Sequence, residues 1–60
     1  MSALSFKDIK GNNIPFGNKN ELSLDEQKDV VTGEITAYLV ECNDSVYEVN
    51  KQTYDALENL

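Results

Sequence analysis

Two strand-like runs separated by only two residues constrain this chain more than any other feature. Residues 34–42 are rich in β-branched and aromatic side chains, and residues 45–49 resume that pattern after Asn43 and Asp44. Asn and Asp tolerate the positive φ that a tight hairpin turn demands. A two-residue loop also fixes the register, because a slip by one position would exchange the two faces. Cys42 then opposes Ser45, Val40 opposes Tyr47 and Tyr38 opposes Val49 on one apolar face. That face is expected to meet the core. The other face pairs Glu41 with Val46 and Leu39 with Glu48, so it is expected to meet solvent or a partner.

The remaining segments fit around this hairpin. Residues 4–9 read as a strand, residues 10–13 as a Gly/Asn turn and residues 14–16 as the return strand. Pro15 lacks an N–H and restricts that strand to a sheet edge. Ser23-x-x-Glu26 matches a capping box, which predicts one or two helical turns, or only a turn, over residues 22–29. Asn50 is a good N-cap. After it, Tyr54, Leu57 and Leu60 recur at helical spacing, which predicts an amphipathic helix over residues 51–60. So short a helix barely forms alone and must pack on the sheet. The expected architecture is a single α+β domain, residues 1–60. In it, a small antiparallel sheet of two hairpins packs against a C-terminal α-helix.

Composition excludes several function classes. Among 60 residues there is one Cys and no His, and all five basic residues are Lys. An internal disulfide, a His-ligated metal, a His general base and a bidentate Arg clamp are therefore impossible. A chain of this size buries only about 60% of its unfolded surface, which leaves little volume for a water-excluding cleft. Catalytic residues, metal ligands and cofactors are not expected. No apolar run approaches the ~20 residues of a membrane span. Residues 1–8 lack the basic start and apolar core of a signal peptide. With a lone thiol, this points to a reducing, cytoplasmic setting. Seven Asn and five Lys without Arg are compatible with AT-rich coding, as in phage or mobile-element products.

Individual candidates for chemistry are weak. Cys42 has no base to activate it and reads as a small core residue. The groups Asp25, Glu26 and Asp29, and Glu41, Asn43 and Asp44, lack EF-hand spacing and read as cap and turn chemistry. Gly17-Asn18-Lys19 lacks the phosphate-loop spacing. Asn43-Asp44-Ser45 matches a glycosylation triplet, but with no secretion signal it reads as a turn. Lys7, Lys10 and Lys19 near Phe6 and Phe16 are a thin pattern for single-stranded nucleic acid. They read equally as lysines that guard an edge hairpin.

Charge placement carries the functional expectation. The net charge is −6, and residues 21–60 hold ten of the eleven carboxylates against two Lys. Such a surface repels nucleic-acid phosphates and attracts basic proteins. Glu34, Glu41, Asp44 and Glu48 are the acidic set, and Glu41 and Glu48 fall diagonally on the non-core face. The expected partner-binding residues are Leu39, Glu41, Asp44, Val46 and Glu48. Leu39 and Val46 supply apolar anchors among the carboxylates. The chain thus reads as a small acidic, non-enzymatic binding module for another protein with a basic surface. Its sharpest form is an inhibitor that occupies a nucleic-acid-binding surface. The alternative is a self-associating assembly subunit, a homodimer formed through free hairpin edges.

Overall fold

Alternation with a period of two sets the architecture of this domain, as a computed structural model shows for residues 4–60. Residues 1–3, within the N-terminal stretch that lacks the signal-peptide pattern, lie outside the described residues. Strand β1 (Leu4–Lys7) pairs antiparallel with β2 (Asn13–Phe16), with Phe6 opposite Ile14. Their turn is organised by Asp8. Its carboxylate accepts the main-chain N–H groups of Lys10 at 2.9 Å and Asn12 at 2.8 Å. A short 3₁₀ turn, Lys19–Glu21, follows. Asn18 and Glu21 cap it reciprocally. The Asn18 side chain accepts from the Asn20 N–H, and the Glu21 carboxylate accepts from the Asn18 N–H.

Residues 22–29 depart from the helical expectation. Leu22–Lys28 is strand β3, paired antiparallel with β4 (Ile35–Cys42). Leu22 and Leu24 lie opposite Cys42 and Val40, so burial against the core outweighs the local capping signal. The Ser23-x-x-Glu26 pattern caps nothing, and the working capping box lies earlier, at Asn18 and Glu21. Strand β5 (Ser45–Val49) completes a three-stranded sheet of order β3-β4-β5. The second hairpin of the sequence reading is thus two strands of a three-stranded meander.

The β4–β5 register matches the expectation at every pair, from Cys42 opposite Ser45 to Tyr38 opposite Val49. Asn43 and Asp44 both take positive φ, 54° and 64°, the geometry of a type I′ turn. Helix α1 (Lys51–Glu58) is capped by Asn50, whose side chain accepts the Thr53 N–H at 2.7 Å. Tyr54 and Leu57 are buried, but Leu60 lies beyond the helix and is 54% exposed, so it is not the third contact of the apolar stripe. The helix C-terminus is held by Lys19. Its ammonium donates to the carbonyls of Glu58 and Leu60 at 2.8 and 3.2 Å, where the helix dipole favours a cation.

Three pieces share one core. Phe6, Ile14 and Phe16 come from the first hairpin, Val40, Cys42 and Val49 from the sheet, and Tyr54 and Leu57 from α1. Aromatic pairs knit the pieces together. Phe6 meets Tyr47 edge to face at 5.8 Å, and Tyr38 meets Tyr54 at 4.8 Å.

A domain of this size has only about 3–9 kcal/mol of total stability. Leu57→Ala and Tyr38→Ala are each expected to cost ~3 kcal/mol, a third or more of that total. Urea titration followed by circular dichroism tests this. An unchanged midpoint for either variant would contradict the packing described.

Candidate partner-binding face

Because β4 seats Tyr38, Val40 and Cys42 inward, it must turn Leu39 and Glu41 outward. Val46 and Glu48 of β5 fall on the same outer face, opposite Glu41 and Leu39 respectively. Four of the five expected residues are thereby brought together. Leu39 is half-buried, Val46 is 62% exposed, and Glu41 and Glu48 are exposed. Asp44 is exposed in the turn at one end of the sheet, beyond the paired strands. Glu34 lies at the opposite end, in the β3–β4 loop, and is not part of this face.

Recognising β3 as a strand adds residues that the sequence reading missed. Its outward positions are Ser23, Asp25 and Gln27, set against Glu41, Leu39 and Ala37. Asp25 therefore extends the carboxylate set across the sheet. The signal was present in the alternation of residues 22–27, but the capping pattern masked it. Ile9 is a second addition. It is 55% exposed, and its N–H donates to the Glu48 carbonyl at 3.0 Å, which bridges the outer edge of β5.

Two shallow hollows flank the Leu39–Val46 ridge. One, about 300 Å³, is bordered by Ser23, Asp25 and Glu41. The other, about 510 Å³, is bordered by Ile9, Lys10 and Glu48. Among the described residues the ion pair found is Lys51–Asp55, at 2.8 Å on the helix. Asp25, Glu41 and Glu48 thus have no lysine partner there, and their charge is free to act outward.

The other candidate chemistries find less support. Cys42 is 1% exposed beneath the core, out of reach of any substrate. Asp25 and Glu26 point to opposite faces of β3, and among the described residues no cluster of three metal-ligating side chains forms. Phe6 and Phe16 are buried, 4% and 5% exposed, so neither can stack on a base. That overturns the basic–aromatic reading of the first hairpin. Burial pushes the Tyr54 hydroxyl upward, and the carboxylates of Glu26 and Glu58 reinforce this, so the phenol stays neutral in the core.

No protein family, curated protein or solved structure matches this chain, so the face must be read from its own geometry.

Two turns outside the face are held by carboxylates. Partial desolvation pushes Asp8 up. The hydrogen bonds from Asn12 and Lys10 outweigh it and hold the carboxyl below its ordinary value of 3.8. The N–H groups of Thr32 and Val31 hold Asp29 below 3.8 in the same way. A depressed folded value stabilises each turn at pH above the unfolded value, and that contribution is lost as pH falls through the folded value. Both turns are expected to loosen below pH 3.8. Amide shifts of Asn12 and Thr32 followed by NMR test this, with Asp8→Asn and Asp29→Asn flattening the response. Invariant shifts down to about pH 2 would contradict it. Asp44 makes a separate prediction. Asp44→Gly is expected to hold or raise the melting temperature, whereas Asp44→Val costs about 1–2 kcal/mol from its forced left-handed conformation.

Proposed function

We propose that this chain is a small cytoplasmic binding module without catalytic activity, which docks through the outer face of β3–β5 onto a basic surface of another protein. The observation that carries this reading is the arrangement of Asp25, Glu41 and Glu48 around exposed Val46 and half-buried Leu39. A rigid sheet holds the carboxylates at fixed spacing, so binding orders few side chains. The apolar ridge contributes affinity, and the charges contribute steering and selectivity. Its sharpest form is an inhibitor in which the carboxylate strip takes the place of nucleic-acid phosphates on the partner.

Self-association is the competing reading, and the open edge of β3 favours it. That edge is blunted, however. The Glu26 N–H is capped by the neighbouring Asp25 carboxylate at 2.8 Å, and two copies of a chain of charge −6 repel. Native mass measured across a range of concentrations separates the two readings.

The test is retention of proteins from nuclease-treated lysate on the immobilised chain, with release by salt. A nucleic-acid-binding protein that elutes with salt is expected. The double variant Glu41→Lys/Glu48→Lys is expected to weaken its binding at least ~10-fold at low salt, with melting unchanged. Equal retention by the variant would show that the acidic face only faces solvent.

A further inference from the structure

The distal part of the β3–β4 hairpin is unused by the core. Every residue from Gln27 to Thr36 is exposed, and the molecule is drawn out to 45 × 22 × 22 Å. At the tip of this arm stand Val30 and Val31, 99% and 88% exposed. Ile35, on its stem, is 40% exposed. Folding alone favours polar residues at such a tip, where two adjacent valines keep their apolar surface in water with no packing gain.

The loop is also organised in advance. The Asp29 N–H donates to the Glu34 carbonyl, and the Gly33 N–H donates to the Asp29 carbonyl, both at 2.8 Å. The Asp29 carboxylate accepts the Val31 and Thr32 N–H groups at 2.7 and 3.0 Å. Gly33 supplies the positive φ of 77° that returns the chain to β4. The valines are therefore presented on a fixed turn, and their insertion into a pocket costs little ordering.

We propose that Val30 and Val31 form an apolar plug that inserts into a socket on the partner protein, and that this socket has lysine or arginine at its rim. Charge selects the occupant. The collar of the plug holds Asp29 and Glu34 against Lys28, on a chain of net charge −6. This collar disfavours anionic lipid surfaces and nucleic acid, and a second copy carries the same charge. The inference rests on the reading of the chain as a protein-binding module, and it places a second contact beyond the acidic face.

The test places a photoreactive phenylalanine analogue at position 30 of the full chain in nuclease-treated lysate. The cross-linked protein is then purified, and its affinity is measured for the wild type and two double variants. The expected result is a cross-link to an apolar segment flanked by basic residues. Val30→Ser/Val31→Ser should then weaken binding ~10-fold or more without a change in melting, since neither side chain packs in the fold. Equal affinity for that variant overturns the proposal. So does a cross-link confined to a second copy or to lipid, or no cross-link at all. Loss with the serine variant but not with Glu41→Lys/Glu48→Lys keeps the plug and rejects the acidic face. The converse keeps the face and rejects the plug.

Discussion

Everything in this domain depends on the seating of β4. Val40 is fully buried, and Cys42 beside it is 1% exposed, between the first hairpin, the outer strands and α1. Neither β1–β2 nor α1 is large enough to persist alone. Each is stable because it covers the inner side of this one strand. The same seating decides the outer surface. With a period of two, committing Tyr38, Val40 and Cys42 inward leaves Leu39 and Glu41 no other direction. The core and the candidate interface are two consequences of one register.

That register was legible because a two-residue loop permits only one pairing, and Asn43 and Asp44 are residue types that accept its positive φ. The helix was legible for a similar reason, since Asn50 and the Tyr54/Leu57 spacing agree. Residues 22–28 were misleading because local and long-range signals conflict there. Ser23-x-x-Glu26 is a valid helix start in isolation, but a helix would remove Leu22 and Leu24 from Cys42 and Val40. With so few apolar side chains available, two leucines against the central strand outweigh one turn of helix. Leu60 was misplaced for a smaller reason. The helix stops at Glu58, where Lys19 ties down its final carbonyls.

The misreading of β3 had a direct cost for the site. Without that strand, Asp25 belonged to a helix cap, and the acidic face was two strands wide. With it, the carboxylates span all three strands, and the open edge carries its own protection in the Asp25–Glu26 contact. Asp25 thereby has two independent roles. It blunts an edge that invites self-pairing, and it extends the row of carboxylates across the outer face.

The distribution of polar control over the chain follows from its shortage of core. Phe6, Phe16, Tyr38, Tyr47 and Tyr54 all serve packing, which leaves no aromatic for recognition. Asp8, Asn18, Asp29 and Asn50 each fix a turn or cap through main-chain N–H groups, so short polar side chains supply rigidity that a larger core would otherwise provide. Against that economy, Val30 and Val31, 99% and 88% exposed on the β3–β4 arm, are apolar groups that packing does not explain. The contacts proposed for this molecule therefore rest on aliphatic side chains among carboxylates, because all five aromatics already serve the packing around β4.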